Sequence, residues 1–350
     1  MPHTTPTAQA ALRDMVKGED PMYSATEIEA EEVQWLWPGR IPLGKIVTLD
    51  GDPATGKSTL AIDIASRVSR GAPWPDGSAA AMACNVLLMC AEDGHADTVV
   101  PRLNGATADL GKVHFLNKVP RHDPAGERYL EFPAIPRDTT FIEYAIRHYD
   151  AKLLIVDVLM AYLTGDAHRD QEVRQALAPL AEVAQRTGCA MLLLRHLNKG
   201  SGKALYRAGG SIGITGAARA SYTVGKDPND PGRIVMATTK TNVAQEPPSL
   251  AYRLEPIPGS HVARIAWEAA PVDITADELT TYREPARRTP AEKWLAAYLA
   301  DHGGQAPTTQ LQDAAKEAGF PERTIRRARD SIGARAQRSG FANGSVWVLG

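Results

Sequence analysis

The chain has 350 residues, of which 43% are hydrophobic and 23% charged, and its formal net charge is −2. These values are typical of a globular protein with one large core and room for a smaller domain. No apolar run approaches the roughly 20 residues that a bilayer span needs, and the N-terminus has no signal-peptide pattern. We therefore expect a cytoplasmic protein without membrane association, whose three cysteines are buried free thiols.

The charge is unevenly distributed along the chain. From Arg283 to Arg338, eleven Lys and Arg stand against seven Asp and Glu, which gives +4. The remaining 28 basic and 34 acidic residues give −6. A basic C-terminal piece on an acidic body is compatible with a polyanionic partner, and equally with a solvated charged face.

The first two thirds of the chain alternate between strand and helix patterns. Residues 1–32 are polar and irregular, which predicts a flexible N-terminal arm. Apolar runs predict strands at 45–50, 85–92, 112–119, 152–160 and 189–197, and amphipathic patterns predict helices at 58–71, 95–110, 139–149 and 171–188. Several strands follow in succession between 219 and 268. The alternation predicts an α/β core over 33–270, with a mostly parallel sheet covered by helices on both faces.

The last third predicts a second, smaller domain. Residues 271–288 have the composition of a linker, and residues 289–350 follow as a separate unit. Thr289, Pro290 and Glu292 form a capping box at the start of the first of three short helices. Asn343-Gly344 is a strong hairpin signal. Three helices and a β-hairpin predict a winged-helix domain.

The stretch "GDPATGKST" has the spacing of a phosphate-binding loop, and it lies between an apolar strand and an amphipathic helix. Glycines let backbone N–H groups converge on phosphates, and the helix N-terminus adds positive potential. Lys57 would reach the β- and γ-phosphates, and Ser58 would bind Mg²⁺. The loop predicts an ATP and Mg²⁺ site formed by Gly51, Asp52, Pro53, Ala54, Thr55, Gly56, Lys57, Ser58 and Thr59.

Carboxylates end two of the other predicted strands. Asp157 closes the apolar run "LLIVD" and would hold Mg²⁺ as a Walker B acid. Glu92 ends the strand that follows the loop helix, where a carboxylate could deprotonate the water that attacks the γ-phosphate. Its neighbour Asp93 is the competing candidate for this base.

A Gly-rich segment begins at the end of the strand 189–197. His196 and Asn198 would sense the γ-phosphate from the strand tip. Lys199, Lys203 and Arg207 follow in a segment too polar for a core, and a basic loop beside a nucleotide site could grip a nucleic-acid backbone.

These motifs, carried by "WLWPGRIPLGKIVTLDGDPATGKSTLAIDIA", "LLMCAEDGHADTVVPRL", "LLIVDVL" and "LLLRHLNKG", resemble those of the RecA-like P-loop ATPases. The resemblance covers about residues 33–268 and is strongest to the branch with the hexameric replicative helicase of broad-host-range plasmids. It implies a homo-hexameric ring with ATP sites between subunits, Glu92 as catalytic base, and single-stranded DNA contacts from the loop after His196.

The chain departs from the family pattern at two places. Related motors carry a Lys-x-Arg pair on a late strand that reaches the neighbour's γ-phosphate, and here "TTKTN" supplies Lys240 but Asn242 in place of the arginine. Arg219 and Arg207 are possible substitutes. The phosphate-binding loop has Ala54-Thr55 where the family usually carries Gly or Pro, and both residues are small.

Two functions remain open from the sequence. One is a DNA-stimulated ATPase motor, a replicative-type helicase of a phage, plasmid or integrated element. The other is a DNA-binding ATP switch without unwinding activity, in which the winged helix contacts duplex DNA. For that second function, Arg323, Arg326, Arg327 and Arg329 in "PERTIRRARDSIG" could line a helix in the major groove. Arginines on an exposed helix are also commonly just solvated.

Overall fold

The computed structural model describes residues 24–79, 82–166, 169–198, 203–207, 212–281, 289–338 and 345–349. The strands before residue 270 are β1 (Trp35–Trp37), β2 (Ile41–Pro42), β3 (Ile46–Gly51), β4 (Asn85–Cys90), β5 (Val113–Phe115), β6 (Val119–His122), β7 (Arg128–Glu131), β8 (Ala151–Asp157), β9 (Ala190–His196), β10 (Ala220–Lys226), β11 (Ile234–Thr241), β12 (Leu250–Pro256) and β13 (Ala263–Trp267). The helices before residue 282 are α1 (Lys57–Arg70), α2 (Val100–Gly105), α3 (Thr139–Tyr149), α4 (Asp170–Thr187), α5 (Ala204–Arg207), α6 (Ile212–Ala217) and α7 (Ala276–Thr281).

Nine of these strands form one central sheet in the order β13-β12-β11-β10-β3-β9-β8-β4-β5. The six strands from β10 to β5 run parallel to one another. The last three, β11 to β13, extend one edge with antiparallel pairing. The prediction of an α/β core with a mostly parallel sheet is confirmed, in agreement with a RecA-like arrangement.

Alternate residues of each strand point to opposite faces of the sheet, and both faces are buried. On β9, Leu192 and Leu194 join the apolar cluster that contains α1. Met191 and Leu193 join the cluster on the other face, which contains α3 and α4. Helices therefore cover both faces, as the unbroken apolar runs predicted. No helix in the described part of the chain combines the length and apolarity that a bilayer span requires.

Two predicted elements of the core differ in the structure. The strand expected at 112–119 is divided, because β5 pairs with β4 whereas β6 pairs with β7 in a separate hairpin. The helix expected at 95–110 is shorter: a π-helical turn at His95–Val99 continues into α2, which ends at Gly105.

The segment interpreted as a linker contains a helix, α7, that packs on the core. Ala276 and Leu279 are buried in a cluster with Val235 of β11. The helix begins with a capping arrangement, since Glu278 accepts hydrogen bonds from the backbone N–H and hydroxyl of Thr275, while its own N–H donates back to that hydroxyl. The linker prediction is therefore wrong for 276–281, and residues 282–288 lie outside the described ranges.

The C-terminal part forms its own small core. Its elements are α8 (Pro290–Asp301), β14 (Gln305–Pro307), α9 (Thr308–Glu317), α10 (Glu322–Ser331), β15 (Arg335–Arg338) and β16 (Ser345–Val348). The strands form an antiparallel sheet in the order β14-β16-β15, and Leu295, Leu311, Ile325 and Trp347 pack together between the sheet and the helices. The capping box of Thr289 and Glu292 is present as predicted. The Asn343-Gly344 hairpin signal lies outside the described residues, but the strands on either side of it pair antiparallel.

Candidate active site

The predicted site residues meet at one edge of the sheet because their strands are parallel and end at the same level. Gly51 at the end of β3 is in register with His196 at the end of β9. Cys90 at the end of β4, two residues before Glu92, is in register with Asp157 at the end of β8. A cavity of about 470 Å³ lies over these strand ends, and its lining includes Lys57, Ser58, Glu92, Asp157 and His196.

The loop between β3 and α1 has the backbone geometry that its glycines allow. A Cβ on Gly51 would stand 2.4 Å from the carbonyl oxygen of Val224, so only glycine fits beside β10. Gly56 has a φ of 79° and stands directly before the first turn of α1. Ala54 also has a positive φ, 62°, a conformation that disfavours a residue with a Cβ. The departure from the family pattern at Ala54 thus falls on a position that favours glycine.

Lys57 lies at the floor of the cavity and is almost fully buried. Its ammonium group donates hydrogen bonds to the carbonyl oxygens of Gly51 and Asp52, both at 2.8 Å. Burial lowers the pKa of Lys57, and the nearby carboxylates, Asp157 first, oppose that shift. A phosphate group beside this ammonium would supply the negative charge that favours its protonated form.

Ser58 and Asp157 are adjacent and form a pair of oxygen donors. Burial raises the pKa of Asp157, and Asp93 and Glu92 raise it further, whereas a hydrogen bond from Ser58 and the charge of Lys57 lower it. A divalent cation would relieve this concentration of negative charge. Within the described residues no group of three or more His, Cys, Asp or Glu could hold a metal alone. A hydroxyl and one carboxylate fit Mg²⁺, which typically takes few protein ligands together with phosphates and waters.

The two neighbouring carboxylates, Glu92 and Asp93, differ in what they contact. Asp93 forms an ion pair of 2.5 Å with Arg102 of α2, which also lines the cavity. The carboxylate of Glu92 is 62% exposed and lies 3.8 Å from Nε2 of His196. Because Asp93 is paired with Arg102, it is less suited to accept a proton. Glu92 faces the cavity beside the imidazole of His196.

His196 sits between the phosphate-binding loop and Glu92. Its Nδ1 atom is buried and has no hydrogen-bond partner in the part of the chain that the structure describes. The ring lines the cavity and its other nitrogen, Nε2, lies near Glu92, so Nε2 is the atom placed to contact a ligand there. Asn198, the other predicted sensor, donates its backbone N–H to the carbonyl oxygen of Arg207.

The sequence did not lead us to predict a buried ion pair that lies beneath the site. Asp50 and Arg195, 1% and 0% exposed, lie one residue before Gly51 and His196 and form two hydrogen bonds of 2.7 Å. The available signal was a charged residue at the end of each of two apolar strands, because buried charges require partners. The cavity-lining Arg102 was also missed.

The residues predicted to bind DNA occupy different environments. Lys203 is exposed at the start of α5, and Arg323, Arg326 and Arg327 are exposed on α10. Arg326 forms an ion pair of 2.6 Å with Glu322. Lys199 lies outside the described residues.

Arg207 does not fit a DNA contact. Its side chain is 10% exposed, and its guanidinium donates to the carbonyl oxygens of Thr280 and Asn198 and lies 3.6 Å from the Asp52 carboxylate. The correction has a physical reason: α7, which the sequence analysis did not predict, covers this arginine and accepts one of its hydrogen bonds.

Lys240 is held within its own subunit. Its ammonium donates to the carbonyl oxygens of Thr215 at 2.8 Å and Ala218 at 3.0 Å, and so caps the C-terminal end of α6. Burial and the nearby Arg219 lower the pKa of Lys240. Arg219 itself is exposed. Of the two side chains, Arg219 is thus the one that points to solvent.

The comparison with known families agrees with this geometry. The AAA_25 family, described as an AAA domain, matches residues 21–202, which is more than half of the chain. The chain belongs to this family. This AAA-domain protein is therefore an ATPase of the P-loop type, and the matched range includes the loop Gly51–Thr59, Glu92, Asp157 and His196. No curated protein matches the chain significantly.

Proposed function

We propose that this protein is a DNA-stimulated, ATP-hydrolysing motor of the RecA-like type, a replicative-type helicase of a phage, plasmid or integrated element. The observation that carries the hydrolytic part is the convergence of Lys57, Ser58, Glu92, Asp157 and His196 on one cavity at the ends of parallel strands. Phosphate binding alone would need only the loop. A partly exposed carboxylate that can accept a proton from water, and a histidine whose Nε2 lies 3.8 Å from it, are present in addition to the loop.

Each residue has a role in this reaction. Backbone N–H groups of Gly51–Thr59 and the ammonium of Lys57 hold the phosphates. Glu92 takes a proton from the attacking water, and Asp93 keeps Arg102 in place. His196 contacts the γ-phosphate from the end of β9 and reports its presence. Ser58 and Asp157 would bind Mg²⁺, which on binding neutralises the charge that develops on the phosphate oxygens.

The proposal includes a homo-oligomeric ring, in which a cation from the neighbouring subunit completes each site. Lys240 was the first candidate, but its three donors point at carbonyl groups of its own chain. Arg219 is exposed beside Lys240 and is the better candidate. Mixing active protein with an excess of inactive Lys57→Ala protein tests this arrangement. If Arg219 acts across subunits, an Arg219→Ala subunit should inactivate the ATP site of its neighbour. Its own ATP site should stay active when the adjacent subunit is wild type.

DNA contact by the segment after His196 is supported by Lys203, which is exposed and follows the end of β9 by seven residues. Fewer basic residues are available for this contact than the sequence suggested, because Arg207 is buried. Lys203→Ala is therefore expected to weaken single-stranded DNA binding and to reduce its salt dependence by about one counterion.

A second function, a DNA-binding ATP switch, is favoured by the C-terminal unit. Three helices and a three-stranded antiparallel sheet support a winged-helix domain over 289–350. Helix α10 buries Ile325 and Ala328 and exposes Arg323 and Arg327 one turn apart. A helix with arginines on its solvent face fits contact with duplex DNA in the major groove.

Steady-state ATP hydrolysis, measured without DNA, with single-stranded DNA and with duplex DNA, separates the two functions. A motor should be stimulated strongly by the single strand and should release an annealed oligonucleotide. A switch should hydrolyse ATP slowly whatever DNA is present, and its duplex affinity should change with nucleotide and fall in Arg323→Ala/Arg327→Ala. Glu92→Gln is the control in which hydrolysis is lost but nucleotide still binds.

A further inference from the structure

The ion pair of Asp50 and Arg195 connects the two strands that carry the phosphate-binding loop and the γ-phosphate sensor. The residues are directly opposite each other in the register of β3 and β9, as are the next two, Gly51 and His196. The guanidinium binds both carboxylate oxygens, with Nε to Oδ1 and Nη2 to Oδ2 each at 2.7 Å. This planar two-point contact restricts rotation as well as distance.

The same guanidinium also reaches a helix. Its Nη2 atom donates to the hydroxyl of Thr215 in α6 at 2.9 Å. The carbonyl of Thr215 in turn accepts a hydrogen bond from Lys240 of β11. One arginine therefore holds β3, β9 and α6 in a single frame.

Stability alone does not account for this arrangement. A buried ion pair is often no more stabilising than apolar residues of the same volume, because both charges lose their hydration. The neighbouring strand positions on the same face, Met191 and Leu193, are apolar and well packed. What the pair supplies, and apolar side chains do not, is a fixed direction between two strand ends.

We propose that Arg195 is a positioning residue for ATP hydrolysis. By binding Asp50 it fixes the separation of the phosphate-binding loop from His196, and through Thr215 it keeps α6 aligned with both. Arg195 borders the cavity, but its side chain is fully buried and its guanidinium is bound to Asp50 and Thr215, so it acts on the geometry of the reaction and touches no reacting atom. This inference rests on the proposed hydrolysis.

The test compares single and compensated variants in the full chain. Arg195→Met leaves Asp50 buried without its partner and is expected to lower the thermal midpoint. It should also reduce kcat by about 100-fold, the order of loss that an ångström-scale misplacement causes. In Asp50→Leu/Arg195→Met both charges are gone, so the midpoint should recover. A positioning role requires that kcat stay low in this double variant while KM changes less than about threefold, since an interaction lost only in the transition state lowers kcat and leaves KM nearly unchanged.

Two further variants complete the design. Arg40→Met breaks another buried arginine ion pair, with Asp76, outside the cavity lining; it should lower the midpoint but leave kcat within about threefold. Thr215→Val removes one hydroxyl at nearly constant volume while Asp50 and Arg195 stay paired, so it should lower kcat with a smaller fall in the midpoint than Arg195→Met, which keeps the test decisive if the double variant does not fold.

Recovery of kcat together with the midpoint in the double variant would overturn the inference, as would full activity of Arg195→Met or Thr215→Val. A wild-type protein that binds ATP without hydrolysing it would instead refute the proposed function, and the inference with it. Hydrolysis by the wild type with an unaffected Arg195→Met refutes the inference alone.

Discussion

Replacement of Glu92 by glutamine is the sharpest test of the hydrolytic assignment. The substitution keeps the length and shape of the side chain and removes its ability to accept a proton. The side chain is 62% exposed and its nearest charged neighbour is His196 at 3.8 Å. Little packing depends on the carboxylate, so we expect the thermal midpoint and the affinity for nucleotide to stay close to those of the wild type.

The expected loss in rate follows from the role of a general base. Such a group contributes about 10²- to 10⁴-fold, which corresponds to about 3 to 5 kcal/mol in activation free energy. Asp93→Asn is the matched control, because it removes the neighbouring carboxylate. Its ion pair with Arg102 is partly exposed and is expected to contribute at most about 1 kcal/mol. We expect Asp93→Asn to cost less than about tenfold in kcat.

The assay is phosphate release at saturating ATP, with binding of a fluorescent nucleotide analogue measured in parallel. Glu92→Gln should bind the analogue as the wild type does and release phosphate at least about 100-fold more slowly. Normal turnover by Glu92→Gln would refute the assignment. A larger loss in Asp93→Asn than in Glu92→Gln would transfer the role of base to Asp93.

Three further substitutions, one of them with a matched control variant, have defined outcomes. Ala54→Gly should raise the free energy of unfolding of the nucleotide-free protein by about 1 kcal/mol, because the residue has a φ of 62°; urea denaturation measures this, and a loss of stability would contradict it. Asp157→Asn should raise the thermal midpoint in EDTA, because burial disfavours this carboxylate, yet abolish turnover with Mg²⁺; a lower midpoint would contradict the electrostatic argument. Lys240→Met should lower the free energy of unfolding by about 1 kcal/mol through loss of the α6 cap, whereas Arg219→Ala should not; equal stability of the two variants would argue against the cap.

The parts of the site that sequence could predict are those defined by local order. An apolar run ending in Gly51 and a helix starting at Lys57 are adjacent in the chain, and parallel strands necessarily end at the same edge. Gly51, Asp157 and His196 could therefore be expected to meet without knowing how the strands are ordered. The capping box at Thr289 could be predicted for the same reason, since its residues are close in the chain. Thr275 and Glu278 have the same Thr-x-x-Glu spacing, but the sequence analysis did not predict the helix that they begin.

The parts that sequence could not predict depend on contacts between distant segments. Arg207 looks solvent-exposed in a polar, Gly-rich stretch, and it is buried because the carbonyl of Thr280, far along the chain, accepts its hydrogen bond. Lys240 lies on a strand whose neighbours are local, but the helix end that it caps comes from an earlier segment. Hydrogen-bond partners of long side chains follow from tertiary packing, which residue spacing does not encode.

The charges of the cavity explain why one subunit is not expected to complete the reaction. Among the lining residues, Glu92, Asp93 and Asp157 carry three negative charges, and Lys57, Arg102 and Arg195 carry three positive ones, so the formal balance is zero. Two of the three cations are already paired, Arg102 with Asp93 and Arg195 with Asp50, which leaves Lys57 for the phosphates. A nucleoside triphosphate adds roughly four negative charges to the site, and like charges in a partly buried site repel strongly. In the proposed reaction, Mg²⁺ at Ser58 and Asp157 would offset part of this charge, and a cation from outside the subunit would further stabilise the transition state. In the proposed ring, the exposed Arg219 would supply that cation, because Lys240 is bound to the carbonyl groups at the end of α6.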